Sequence, residues 1–378
     1  MAEPHPAVPP ARAAPRRIAI TLEQCWHRIP GGTAAAAIAA TSALAERGDL
    51  DLVGVSARHR EAPPEPWVPP IPVRGLGLPR VALYESWHRF RRPEVQRATG
   101  PVDAIWVTGM AMPPPSAPLV VTVHDLAFLE DASRGTRHGM KFFHRAIELA
   151  RRDAQVVCVP SMDTWTDCAA HGFDVDRLRL VPWGVTCVEA PADDVDAVRV
   201  RYRLTRPYIL WTGTIEPRKN LPTLLEAFRH LDRHGVDLVL AGAQGWNEDL
   251  DRHLGSAIGR VRVLGFVPGD ELRALYAGAA VFALPSLREG FGLPVLEAMA
   301  QGTPVVTSAS GATAEAAGDA AVLVDPCDVG ALAEALASVL DDPERAALLA
   351  RSSRRRAAEM PWSRTADRLA EVFGEVVP

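Results

Sequence analysis

The sequence predicts an α/β protein of two similar-sized domains, each built on a parallel sheet. Short apolar, often β-branched runs alternate with stretches of helical periodicity from one end of the chain to the other, the pattern of strands buried under crossover helices. At 378 residues there is room for about two domains of ~100–200 residues each. The alternation is interrupted at 190–206 (APADDVDAVRVRYRLTR), which is acidic, then basic, and lacks a strong apolar face.

Residues 1–15 are rich in Ala and Pro and are expected to be a disordered tail. The first domain then runs over 16–189. Its expected strands are 17–21, 52–55, 104–107, 119–123, 156–159 and 178–181, and its helical stretches 33–47, 82–90, 137–152 and 162–171. The proline-rich stretch 63–72 reads as loop. Residues 190–206 are the expected linker. The second domain, 207–360, begins with a strand at 208–211 and continues with strands at 238–240, 261–266, 281–284 and 305–306. In its first helix Leu224, Leu225, Phe228 and Leu231 share one stripe, Pro222 suits the first turn and Gly235 a C-terminal cap. Further helices are expected at 329–340 and 345–358. A closing helix, capped by Ser363, is expected to run to about Phe373.

Lys and Arg total 41 against 46 Asp and Glu, a net charge of −5, so the basic excess that neutralises a nucleic-acid backbone is lacking. The apolar runs are far shorter than the ~18–20 residues of a membrane span. The first residues carry no apolar stretch of a secretory signal, so a cytoplasmic location is expected. The basic run 351–356 (RSSRRR) leaves a peripheral contact with anionic lipid open. Cys25, Cys158, Cys168, Cys187 and Cys327 have neither CxxC nor zinc-ligand spacing, and no acidic pair suits a metal ion. Gly75-Leu76-Gly77 lacks the third glycine of a dinucleotide fingerprint, and no GxxxxGK[ST] loop occurs.

The densest chemical signal is GTIEPRKN, 213–220, at the carboxyl end of a strand and just before a helix. Ligands bind at that place in open α/β sheets. Arg218 and Lys219 set two cations beside free helix amides, which suits a diphosphate; as a bare dipeptide they would read as a solvated pair. A second signal follows another strand: PSLREGFGLPVLE, 285–297. Gly290 and Gly292 permit unusual backbone shapes, Pro294 suits the first helical turn, and the amides of Phe291, Gly292 and Leu293 could face a phosphate or a sugar hydroxyl. Glu289 and Glu297 flank this turn and could accept hydrogen bonds from a polyol, or could be surface glutamates favoured by the helix dipole.

Together GTIEPRKN, the Glu289-x7-Glu297 pair, VPWGV (181–185) and Gly31-Gly32 resemble the retaining glycosyltransferases of family 4, or group 1, which include bacterial mannosyltransferases. The resemblance implies a GT-B architecture: two Rossmann-like domains across a cleft, the donor held mainly by the second and the acceptor by the first. It implies that Gly213, Arg218 and Lys219 hold the donor diphosphate, Glu297 the ribose and Glu289 the transferred sugar. The loop around Phe266 would read the base. His124, in the strand-end TVHDL motif (122–126), would reach the donor sugar with Asp125 beside it, and Gly31 and Gly32 would let the backbone approach phosphate. Residues 361–378 would form a helix crossing back to the first domain. The implied donor is a nucleoside-diphosphate sugar, with GDP-mannose ahead of UDP- or dTDP-sugars. The acceptor would be a glycan, a lipid-linked sugar or a small molecule, and no further cofactor or metal is expected. A non-catalytic nucleotide-sugar-binding protein and a phosphorylase or synthase of the same fold are the alternatives.

Overall fold

The computed structural model describes residues 15–377 except 131–136, 232, 244 and 246–258; all but one residue of the expected tail lies outside them. Thirteen strands form two wholly parallel sheets among the described residues. The first contains β1 (Arg16–Thr21), β2 (Leu50–Ser56), β3 (Val73–Gly75), β4 (Ala104–Val107), β5 (Leu119–Thr122), β6 (Ala154–Val159) and β7 (Leu178–Leu180), in the order β3-β2-β1-β4-β5-β6-β7. The second contains β8 (Tyr208–Thr212), β9 (Asp237–Ala241), β10 (Val261–Gly265), β11 (Val281–Leu284), β12 (Val305–Ser308) and β13 (Val322–Val324), in the order β10-β9-β8-β11-β12-β13. Each order reverses once, between β1 and β4 and between β8 and β11. Such a switch point opens a crevice at the carboxyl ends of the strands.

The central strands are buried on both faces, so their sequences are continuous apolar runs rather than alternating ones. Trp106, on β4 of the first sheet, and Trp211, Phe228 and Phe282 of the second domain are all fully buried. The helix Leu221–His230 buries Leu224, Leu225 and Phe228 with Pro222 in its first turn, as expected. Gly235 is not its cap: the helix ends at Leu231 in right-handed geometry. The closing helix, Trp362–Val376, starts after Pro361 rather than at a Ser363 cap. It buries Leu369, Val372, Phe373 and Val376, packs on the helix Gly31–Arg47, and sets Phe373 edge-on to Trp106 at 6.2 Å between ring centroids. Ion pairs from Arg47 to Asp367 and from Arg179 to Glu375 tie it further to the first sheet's layers. No described helix is long and apolar enough to cross a membrane.

The expected linker needs correction. Within 190–206, Ala192–Arg201 is a helix lying on the second domain's helix Gly269–Gly278, with Val198 buried and the Tyr202 hydroxyl donating to Glu271 at 2.5 Å. Its buried stripe is too narrow to show as periodicity in so charged a segment. The chain crosses between the sheets just before it, at 184–190, and again at 360–362. These two crossings are bonded to each other, Val185 N–H donating to the carbonyl of Met360 at 2.7 Å. Any side chain at Gly184 would overlap the backbone of Trp362.

Candidate active site

The loop after β8 and the loop after β11 face one another across the second sheet's switch point. Asn220, in left-handed geometry at φ 56°, joins them: its amide donates to the carbonyls of Pro285 and Pro326, at 3.1 and 2.6 Å. Its side-chain oxygen accepts from Thr223 in the first turn of Leu221–His230. The turn Pro217–Lys219 thereby aims both cations at the second loop. Lys219 Nζ lies 2.5 Å from Glu289 Oε1, and Arg218 Nη1 lies 2.7 Å from Glu289 Oε2. Arg218 Nε reaches Glu216 Oε1 at 2.6 Å, and Ser286 donates to Glu289 Oε1 at 2.7 Å.

Two cations and two carboxylates are thus held together with little access to water, Glu216 and Lys219 being 2% and 6% exposed. Burial would raise the Glu289 carboxyl, but Lys219 and Arg218 outweigh it and hold its pKa at about 2. Glu216 is pushed up by burial, with Glu289 and Asp125 adding to the rise against Arg218 and Lys219. Its Oε2 has no hydrogen-bond partner. A diphosphate entering here would find two cations already aligned, and would compete with Glu289 for them.

Gly292, at φ 100°, begins the helix Leu293–Ala300, and Pro294 sits in its first turn. Phe291 is buried behind the loop. One turn on, Glu297 lines a cavity of about 320 Å³ together with Tyr276, Leu293, Arg273 and, from the first domain's helix, Ala35 and Ala39. A second cavity of about 270 Å³ is lined by Glu289, Ser286, Arg288 and 310–313 of the second domain and by Asp163 and Asp167 of the first. The two expected glutamates therefore serve two separate spaces.

The first domain meets this loop directly. Ser161 and Thr164 hydroxyls donate to the carbonyl of Gly290 at 2.8 and 3.2 Å. Glu315 of the second domain accepts from the amides of Met162 and Asp163, capping the helix Met162–Ala170 from across the interface, and Arg288 pairs with Asp167. His124 follows β5; its Nε2–H donates to the carbonyl of Thr108 at 2.9 Å and its ring lies 5.6 Å from that of Trp183. Burial lowers its pKa, so the ring is neutral and Nδ1 is left as an acceptor. Asp125 caps Ala127–Glu130 through the amide of Ala127 and is close enough to raise Glu216 electrostatically.

The fold thus brings Arg218, Lys219, Glu289, Gly290 and the His124–Asp125 pair together. Gly213 follows β8 and lies against the Lys219 side chain. Gly31 and Gly32 begin the helix Gly31–Arg47, whose Ala35 and Ala39 line the Glu297 cavity; a Cβ on either glycine would meet open space, but Gly31 sits at φ 64°, where the backbone itself favours glycine. Phe266 is 58% exposed on the loop after β10, just ahead of Gly269 at the same cavity. Sequence reasoning missed Glu216, Ser286, Asn220, Thr212 and Tyr276. The first and third lie inside GTIEPRKN and were open to notice; Tyr276 meets its partners only through the fold. Among the described residues no group of three or more His, Cys, Asp or Glu side chains is placed to hold a metal ion.

Known proteins share this chain's sequence and fold. The sequence profile described as "Glycosyl transferases group 1" matches residues 196–356, which hold every second-domain site residue named above. D-inositol 3-phosphate glycosyltransferase of Geodermatophilus obscurus is 30% identical over 418 residues, covering 96% of this chain and 90% of that protein. The chain belongs to the group 1 glycosyltransferases. O-antigen chain mannosyltransferase B of Escherichia coli is 34% identical over 245 residues, 61% of this transferase and 64% of that protein, so the match spans somewhat under two thirds of that relative's length. Among solved structures, HepE of Anabaena in complex with UDP and glucose superposes with a TM-score of 0.74 over 95% of this chain and 100% of that one, at 18% identity. The shared architecture is GT-B.

Proposed function

We propose that this transferase moves a hexose from a nucleoside-diphosphate sugar to a glycan, lipid-linked or small-molecule acceptor, with retention at the anomeric carbon. The observation that carries the reading is the Arg218–Lys219 pair held by Glu289 at the switch point, beside the start of Leu221–His230 and the start of Leu293–Ala300. Departure of a nucleoside diphosphate builds negative charge on phosphate oxygens, and preorganised cations and helix amides lower the barrier where that charge appears. Arg218 and Lys219 would take the diphosphate. Glu289, released from them, would accept sugar hydroxyls in the cavity it shares with Asp163 and Asp167, and Glu297 would accept from the ribose. His124, neutral and at the interface, would approach the sugar from the first domain.

These cations can do the neutralising work of a metal ion, so EDTA is expected to leave turnover nearly intact. Retention without a protein nucleophile leaves the donor phosphate to accept the acceptor's proton. GDP-mannose is the favoured donor. The name of the E. coli relative supports it, and the UDP and glucose held by the Anabaena protein keep UDP-glucose next in line.

Turnover of labelled GDP-mannose, UDP-glucose and a dTDP-sugar, with and without acceptor, tests the reading. Lys219→Ala should lose about 2–4 kcal/mol of barrier lowering at saturating donor. Donor binding without any turnover would favour a non-catalytic binding protein, and a phosphate-dependent reverse reaction a phosphorylase.

A further inference from the structure

Tyr276 is buried at 2% exposure, its ring edge-on to Phe282 at 5.4 Å, so the core fixes where its hydroxyl stands. That hydroxyl has two partners: Glu297 Oε2 at 3.0 Å, on the helix Leu293–Ala300, and Thr212 Oγ1 at 2.7 Å, on the last residue of β8. Burial pushes the Glu297 carboxyl up while the Tyr276 hydrogen bond and Lys219 pull it down; in its ionised form it only accepts, and a phenol has one proton to give. Tyr276 therefore donates to Glu297 and accepts from Thr212, and the chain of three runs in one direction. Burial holds the Tyr276 phenol well above its ordinary pKa, so it keeps that proton throughout the neutral range. No other described side chain hydrogen-bonds Glu297; Lys219 attracts it from a distance, and Tyr276 supplies the directional contact to a carboxylate that lines the cavity of about 320 Å³.

We propose that Tyr276, backed by Thr212, is a positioning residue that orients Glu297 toward the ribose diol and so sets the preference for ribonucleotide donors over deoxyribonucleotide ones. The proposal rests on the nucleotide-sugar reading above. A carboxylate free to rotate would still meet a diol, but would first have to be ordered; one already clamped through Oε2 presents Oε1 at no such cost.

Calorimetric titration with GDP and 2′,3′-dideoxy-GDP, and with the uridine pair, tests it. The wild type is expected to favour the ribose form by about tenfold or more, the scale of a hydrogen bond to a charged group. Tyr276→Phe keeps the ring and should cut that preference about three- to tenfold, leaving the dideoxy affinity unchanged. Thr212→Val should move the preference the same way by less. A loss shared equally by both nucleotides marks a merely structural tyrosine and overturns the proposal, as does an unaltered preference in either variant or no preference in the wild type. Absence of any nucleoside diphosphate binding by the wild type overturns the nucleotide-sugar reading itself, and the inference with it.

Discussion

At Glu289 two effects of opposite sign meet. Burial disfavours its charge, while Lys219, Arg218 and Ser286 favour it and win, leaving the folded pKa at about 2 against an ordinary 4.5. The folded value lies below the unfolded one. Its contribution to stability is therefore complete above pH 4.5 and is lost as pH falls from 4.5 toward 2. Glu216 works the other way: its raised carboxyl contributes in acid and loses that contribution as pH rises through its folded value. Denaturant melts over this range should show Glu289→Gln less stable at neutral pH by about 3 kcal/mol, since the buried Lys219 and the half-buried Arg218 lose a partner. The same melts should show a flatter decline between pH 4.5 and 2 in the variant. An unchanged acid slope would assign the decline to other carboxylates.

The loop 285–292 works by close approach as much as by charge. A Cβ at Gly290 would overlap the carbonyl oxygen of His124, and the Gly290 carbonyl is itself held by Ser161 and Thr164. Only glycine lets this element and the end of β5 touch. Gly290→Ala should push the two apart by a fraction of an ångström to an ångström, misplacing His124 relative to Glu289. Displacements on that scale cost about a hundredfold in turnover. The overlap is on the His124 side of the loop, whereas Arg218 and Lys219 hold its other side at Glu289 and Arg288, so nucleoside diphosphate affinity should fall far less than turnover. Steady-state kinetics beside direct nucleotide binding checks this, and parallel losses in both would show a collapsed loop instead.

Across the whole molecule, the domains are joined by two hydrogen-bonded crossings and by polar contacts at Glu315, Asp167 and Gly290. Polar contacts of this kind can be broken and remade, which favours a hinge motion of the pair about the crossings at Val185 and Met360. A nucleoside diphosphate bridging the Glu297 cavity and the helix carrying Ala35 and Ala39 should favour the closed form. Solution scattering with and without GDP should show compaction on binding. A chain ending after Met360 should melt earlier, because Leu369, Val372, Phe373 and Val376 cover the first sheet's layers at about 1.5–3 kcal/mol each. Equal radii with and without nucleotide, or an unaltered melt, would contradict the hinge or the strap respectively.

By itself the sequence determined what depends on neighbours along the chain. Apolar runs such as 208–211 and 281–284 are too short for buried helices and read as strands buried on both faces. Pro222 and Pro294 mark first turns, and GTIEPRKN and EGFGLP sit where strand hands over to helix. Two edge strands escaped it: Val73–Gly75 is short, half polar and ends in glycine, and Val322–Val324 lies among turn residues, so neither carries a period long enough to read. The helix Ala192–Arg201 escaped for want of a wide apolar face. Only the tertiary structure decided which charges pair. Glu289 clamps cations 70 and 71 residues away, Tyr276 reaches Thr212 across 64 residues and Glu297 across 21, and Glu315 caps a helix 152 residues before it. Periodicity records the burial of a residue's own element; a hydrogen bond between elements depends on where two backbones come to rest, and leaves no spacing in the chain to be read.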